Sequence, residues 1–410
     1  MPIDKRAVAG ATTGGTLLKL IRESDAITRA DLVRLTGLSK STVSLQVDRL
    51  LRMHLVREER RPTELGPGRR NVLRFASDRG VVLGVELGAT SVDVALCDLD
   101  AAVITAHSEP LEVGRGPRIV LDRIYDIADK LLDSQPQDTR PLVGVGMGLP
   151  GPVDLAHGCV ISPPIMPGWD RFPVRDEVSA HFAVPCFVDN DVNVMAIGEA
   201  RAGDGRALRN FLFVKIGTGI GCGIIVDRRI YRGAQGSAGD IGHIALDGQT
   251  ERCPCGNQGC LEVVAGGAAI ARRGAALAES GTSGALQALA RKGAVSAVEV
   301  GQAAAAGDAP AIDLVVASGH HIGTVLAKLV NFFNPEVIVL GGGVTQLGAV
   351  FVAAIREMVV SRSTALATAD LSIRNSTFGE AAGMVGAAAM AVEELYSIDQ
   401  ISKLVSEFAG

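Results

Sequence analysis

The chain has 410 residues, 47% of them hydrophobic, and a formal net charge of -5 at pH 7. That length suffices for two or three domains with sizeable cores, and no apolar run reaches the ~18 residues needed to cross a bilayer, so the expectation is a soluble, cytoplasmic protein with no membrane partner. The charge is uneven: residues 1–75 carry 15 Lys and Arg against 8 Asp and Glu, the remainder 25 against 37, which sets a basic head suited to a polyanion before an acidic body.

The head is expected over residues 1–76. Leu17, Leu20 and Ile21 recur at helical spacing. Thr28-Arg29-Ala30-Asp31 has the form of a capping box opening a second helix, which Gly37 ends. Ser39 can cap a third helix with Val43, Val47, Leu50 and Leu51 on one face and Lys40, Ser41, Thr42 and Ser44 turned outward. Helix, glycine turn and helix with a polar N-terminus form a helix-turn-helix. Residues 55–60 and 71–75 read as two short strands around the loop 61–70, a wing whose Arg69 and Arg70 can meet phosphates or a minor groove. The candidate readers of double-stranded DNA are Lys40, Ser41, Thr42, Ser44, Arg69 and Arg70. The competing reading is a small helical dimerisation domain with incidental charge.

The body begins with Val81 to Leu87, a glycine turn, and Ser91 to Leu99, strand-turn-strand. The apolar run 143–148 ends in the turn Gly148 to Asp154, whose Gly151 is placed to close one side of a pocket. Cys186 to Val188 is a strand that stops at Asp189-Asn190-Asp191 and continues as a helix, and polar groups at such strand ends are where α/β folds bind ligands. The blander reading is that one of these three residues caps the helix. FLFVKIGTGIGCGIIVD repeats the opening plan, with the turn Gly217 to Gly223 between two apolar strands. A buried strand ending in Gly341-Gly342-Gly343 follows later, and glycine turns of this kind let backbone N–H groups approach phosphate oxygens. Strands alternating with alanine-rich helices indicate an α/β body of two lobes with a cleft between them.

Between the second glycine turn and the last strand lies GDIGHIALDGQTERCPCGNQGCLE, residues 239–262. Cys253, Cys255 and Cys260 with His243 make three thiolates and one imidazole, the inventory of a closed tetrahedral zinc site of structural type, one per chain. A disulfide or buried free thiols are the alternative, disfavoured because the N-terminus has no signal peptide and Cys97, Cys159, Cys186 and Cys222 stand singly in apolar runs. Asp240 and Glu262 flank the ligands, so a bound metal would pin two acids.

Taken together these residues resemble the ROK family (repressor, open reading frame, kinase), most specifically in IGTGIGCGI followed by GDIGH and CPCGNQGCLE. The resemblance covers essentially the whole chain and implies an α/β, two-lobed, sugar-kinase-like body of the actin/hexokinase ATPase fold behind the winged helix-turn-helix. The implied division is 80–188 with the C-terminal helix 393–410 as one lobe, and 189–392 with the zinc loop as the other. By the same resemblance His243 serves both metal and sugar, and Gly151, Asn190, Asp191, Asp240 and Glu262 complete a sugar pocket, with Asp191 as the catalytic base in members that are kinases. Gly88, Thr90, Gly217, Thr218, Gly219, Gly221 and Gly342 would form the phosphate turns. The chain departs from the family's Asp-x-Gly-Gly-Thr turn, having Glu86-Leu87-Gly88-Ala89-Thr90, and has Asp240 where the family has glutamate. The sugar site is thus better kept than the site for ATP and magnesium. The implied protein is a sugar-responsive transcriptional repressor acting as a homodimer or tetramer on a DNA operator. The alternative is an ATP-dependent sugar kinase that also binds DNA. A zinc hydrolase is disfavoured because four ligands leave no position for water.

Overall fold

The structure, a computed structural model, describes residues 13–24, 26–62, 69–135, 140–163, 165–343, 347–379 and 381–407. The head holds α1 (Thr13–Arg22), α2 (Arg29–Thr36) and α3 (Lys40–Arg52), followed by strands β1 (Val56–Pro62) and β2 (Arg69–Phe75). The Thr28–Asp31 capping box forms as its sequence predicts, and Gly37 closes α2 in the left-handed region at φ 69°. Ser39 caps α3 by accepting from the Thr42 amide. Leu17, Leu18, Ile21, Leu32, Val43, Val47 and Leu50 are fully buried together, which sets the exposed N-terminal turn of α3 at a fixed attitude.

The wing strands run further than their apolar residues suggested. β1 and β2 pair antiparallel out to Pro62↔Arg69 and Arg61↔Arg70, so Arg69 and Arg70 are exposed strand residues at the outer end of the hairpin and not part of its loop. Ladder hydrogen bonds ignore side-chain polarity, which is why the expected boundary fell short. The expected loop tip, residues 63–68, lies outside the described residues.

The body contains two five-stranded mixed sheets of the same topology. The first lobe has β3 (Val81–Leu87), β4 (Ser91–Asp98), β5 (Val103–Pro110), helix α4 (Pro117–Asp133), β6 (Leu142–Leu149), the short pair β7 (Val153–Asp154) and β8 (Cys159–Val160), α5 (Val174–Phe182) and β9 (Cys186–Asn190). Its sheet order is β5-β4-β3-β6-β9, with β3, β6 and β9 parallel. Helix α6 (Asp191–Ala202) then leads to β10 (Phe211–Ile216), β11 (Ile220–Val226) and β12 (Arg229–Tyr231). After the metal loop come α7 (Leu261–Ala265), α8 (Gly267–Glu279), α9 (Gly284–Ala290), α10 (Ala297–Ala305), α11 (Ala309–Phe333), β13 (Val337–Gly341), α12 (Ala349–Arg362), α13 (Ala365–Thr368) and β14 (Ser372–Asn375). The second sheet runs β12-β11-β10-β13-β14, so each lobe presents the end of a central buried strand, β3 or β10, to the space between them.

Helix α14 (Ala381–Leu395) lies across the back of the first sheet and along α6. Small residues bring backbones together there: a Cβ on Gly146 of β6 would sit 1.8 Å from the Ala387 carbonyl oxygen, and one on Gly386 1.7 Å from that of Val194 in α6. The last helix, α15 (Ile398–Glu407), leaves this lobe and joins the head, burying Ile401 and Val405 against the α1 and α3 side chains. A Cβ on Gly15 of α1 would stand 2.3 Å from the Ile398 carbonyl oxygen. The segment 393–410, grouped by resemblance with the first lobe, is thus divided in the structure: residues up to Leu395 rest on that lobe and 398–407 on the head.

Candidate metal centre and ligand cleft

The metal candidate is a tight knuckle between the short helical turn Ile241–His243 and α7. Isolated bridges Ala245↔Cys260 and Arg252↔Gln258 fold the loop on itself, and Gly256 and Gly259 take positive φ at its tip. The outcome is that the ligand atoms of His243, Cys253, Cys255 and Cys260 all lie within 4.8 Å of one another. The Cys255 and Cys260 sulfurs are 3.7 Å apart, near the roughly 3.8 Å that two thiolates span on a tetrahedral zinc with bonds of about 2.3 Å. The donor set therefore fits a soft or borderline cation such as zinc. His243 turns Nδ1 to the Cys253 sulfur at 3.5 Å and Nε2 toward Asp240 at 3.9 Å, so a single imidazole faces the thiols on one edge and Asp240 on the other. Burial pushes the Cys260 thiol up to about 12, so without a cation this thiol holds its proton at neutral pH.

The cleft between the lobes has a volume of ≈ 1430 Å³ and is lined by Gly151, Asn190, Asp191, Asp240, His243 and Glu262, the residues that the sequence singled out for a sugar. Gly88, Thr90, Gly217, Thr218, Gly219, Gly221 and Gly342 line it too. Asn190 is the N-cap of α6: its Oδ1 accepts from the amides of Val192 and Asn193 at 3.0 and 3.4 Å. Its Nδ2 donates to the Gly151 carbonyl and to Asp191 Oδ1, both at 3.0 Å. Asn190 thus does the capping and also ties the Gly151 turn to Asp191. Asp189 points elsewhere: it is 1% exposed, held by Arg232 Nε at 2.6 Å and Asn193 Nδ2 at 2.8 Å. Glu262 accepts from the Ile220 amide at 3.2 Å, and a Cβ on Gly219 would meet its Oε2 at 2.1 Å, so this turn closes over the carboxylate only because position 219 is glycine.

Part of the glycine turns' donor capacity is already used. The Gly88 amide donates to the Ser91 carbonyl, and that of Gly217 to Gly219. The amides of Gly267 and Ala268 at the start of α8 donate to the carbonyls of Gly217 and Thr218.

Two buried ion pairs in and beside the cleft escaped the sequence reading. Lys215, in the apolar strand FLFVKI, sends Nζ to Asp191 Oδ2 at 2.8 Å and to Glu86 Oε1 at 3.3 Å. Burial opposes its charge, yet Asp191 and Glu86 together hold the ammonium well above its ordinary range. Burial also pushes the Glu86 carboxyl up to about 7, with Lys215 pulling the other way. The signal available was a lone cation one residue from the end of an otherwise apolar strand, directly before a glycine turn. Arg232 makes the second, and its pairing with Asp189 spans 43 residues, a separation that no local pattern reports.

Comparisons with known proteins agree with this geometry. The sequence profile of the ROK family matches residues 82–394. A xylose repressor from Caldicellulosiruptor bescii is 28% identical, over 94% of this chain and 96% of that protein. A glucokinase from Halalkalibacterium halodurans is 33% identical, over 76% of this chain and 94% of its own length. Among solved structures, a ROK family transcriptional regulator described as a homologue of the E. coli Mlc protein superposes with a TM-score of 0.82 at 27% identity, covering 98% of this chain and 100% of that one. A ROK family glucokinase from Streptomyces griseus, solved with glucose and AMPPNP, gives 0.65 at 27% identity, over 76% of this chain and 99% of its own.

Proposed function

The chain belongs to the ROK family, and from that membership and the side chains of the cleft we propose that it is a sugar-responsive DNA-binding transcriptional regulator, a repressor. The observation that carries the reading is a packed head of three helices and a two-stranded hairpin joined to a two-lobed body whose cleft gathers Asp191, Asp240, His243 and Glu262. Relatives named as repressors match over nearly the whole chain, whereas the kinases match about three quarters of it.

On α3, the exposed Lys40 and Ser41 and the half-buried Thr42 and Ser44 read base edges and phosphates in the major groove, while Arg69 and Arg70 contact the flanking backbone. Two heads of a homodimer, or four of a dimer of dimers, address paired half-sites of an operator. Carboxylate oxygens of Asp191, Asp240 and Glu262 accept from adjacent sugar hydroxyls, and His243 Nε2 completes the set. Buried polar groups without a partner are costly, so a site of this kind selects by hydroxyl pattern. One zinc bound by His243, Cys253, Cys255 and Cys260 holds the loop that carries Asp240 and Glu262 in register. Sugar binding closes the lobes, α6 and α14 move together through their backbone contact, and α15 transmits the change to α1. The sugar shifts the chain only by as much as it prefers the form with lower DNA affinity.

The test is to select genomic DNA fragments on the purified full-length chain and then titrate the bound fragment with D-xylose, D-glucose and N-acetylglucosamine. Release by one sugar, with no ADP formed from ATP, agrees with the proposal. ADP formation that depends on sugar and is abolished in Asp191→Asn would favour the kinase reading.

A further inference from the structure

We infer that Lys215 is a built-in counter-cation that commits the cleft to an uncharged, unphosphorylated sugar, bound without nucleotide or divalent metal. The inference rests on the sugar-cleft reading above and adds to it the charge state of the ligand.

Lys215 comes from β10 of the second lobe, Glu86 from β3 of the first, and Asp191 from the start of α6. The three side chains are 18%, 8% and 10% exposed at the cleft floor, so their contacts form in a poorly hydrated place. Every oxygen of Asp191 is engaged: Oδ1 accepts from the Val192 amide at 2.9 Å and from Asn190 Nδ2, and Oδ2 accepts from Lys215 at 2.8 Å. A general base needs a lone pair within reach of the proton it takes. Here one lone pair of the inner oxygen already faces an ammonium, and the other is left to accept from a neutral hydroxyl.

Phosphoryl transfer also needs a divalent cation to neutralise the phosphates as charge shifts. Glu86 and Asp191 are the facing carboxylates that would draw such a cation to the cleft floor, and the ammonium fills the space between them. A fixed charge of +1 replaces an exchangeable +2, and the further acids Asp240 and Glu262 also line the cleft. Of the other lining cations, Arg272 pairs with Glu251 at 3.2 Å and Arg252 stands exposed on the metal loop. A phosphate ester brought to the floor would face carboxylates whose one close cation, Lys215, is already paired, and in a low-dielectric cleft that repulsion is large. Neutral hydroxyls meet no such barrier. The same ion pair crosses between the lobes, so Lys215 also fixes how far they open.

Calorimetry on the zinc-loaded full-length chain decides the matter. The probes are D-glucose, D-xylose and N-acetylglucosamine, each beside its own phosphate ester, together with MgATP and Mn2+. The wild-type chain is expected to bind one free sugar at least tenfold more tightly than the matching phosphate and to show no heat with MgATP or Mn2+ at millimolar concentration. In Lys215→Met, a Mn2+ site is expected that the double variant Lys215→Met/Glu86→Gln lacks. A phosphate ester that binds wild type as tightly as the free sugar overturns the inference while leaving the sugar cleft standing, and so does Mn2+ binding to wild type. If no probe of either kind binds, the sugar-cleft reading fails and this inference with it. The wild-type arm decides the question even where Lys215→Met does not fold.

Discussion

The Asp191–Lys215 contact sets what the cleft can do at the level of single side chains. Replacing Asp191 with Asn keeps the cap and the volume but removes the anion that balances a buried ammonium. Breaking such a pair costs about 3–5 kcal/mol, and the retained contact with Glu86 places the expected loss at the lower end; urea unfolding of Asp191→Asn measures it. Arg232→Ala leaves Asp189 buried with only neutral donors, and a loss of about 3 kcal/mol is expected by the same assay, against under 0.5 kcal/mol if the pair is idle. Glu86 gives a pH signature of known sign. Its carboxyl is raised from 4.5 to about 7 in the folded chain, so the native state binds a proton that the unfolded state has released. Its contribution therefore lowers stability progressively as pH climbs from about 4.5 to 7 and is level above that. Glu86→Gln should gain on the order of 2 kcal/mol relative to wild type between pH 5 and pH 8, seen as melting curves that diverge with rising pH. Curves that stay parallel would contradict a buried, raised carboxyl.

The last helix, α15, which joins the body to the head, and the metal loop, which lines the cleft, are both open to direct perturbation. Ending the chain after Ser397 strips α15 from α1 and exposes Leu17, Leu18 and Ile21. The loss of two buried aliphatic side chains, Ile401 and Val405, costs the head about 2–5 kcal/mol for each. DNA affinity of the truncated chain is expected to fall at least tenfold in anisotropy titrations while sugar binding by the body stays within twofold. The metal loop predicts the reverse order: chelation, or Cys260→Ala, should abolish sugar binding before operator binding, and equal loss of both would mean general unfolding. These elements also show what a sequence discloses. The capping box at Thr28, the left-handed Gly37 and the His-Cys-Cys-Cys spacing are local chemistry, readable because each residue's role is fixed by near neighbours. The same holds for the repeated strand-turn-strand plan behind the two sheets. The seat of α15 was not readable, since an amphipathic stripe of Ile401 and Val405 states that a face is buried without naming the surface that buries it. Lys215 was hidden for a similar reason: its partners lie 24 and 129 residues away. The end of the wing at Arg69 was set by backbone pairing, to which charge patterning is blind.

Across the whole molecule, a chain of packed contacts runs from the cleft to the hairpin of the head. Asn190 caps α6 at the cleft, α6 meets α14 backbone to backbone at Gly386, α14 continues through Tyr396, and Tyr396 packs edge-on against Phe75 of the wing at 5.2 Å. Gly386→Val would drive a side chain into the Val194 carbonyl and part the two helices, so it should weaken the response to sugar more than it weakens either binding event alone. Operator affinity of the full-length chain, by fluorescence anisotropy with and without a saturating concentration of the sugar that binds it, decides whether cleft and head are coupled. Sugar is expected to weaken it at least tenfold in wild type and not at all in Asp191→Asn. A sugar that saturates the cleft and leaves operator affinity unchanged would contradict that coupling.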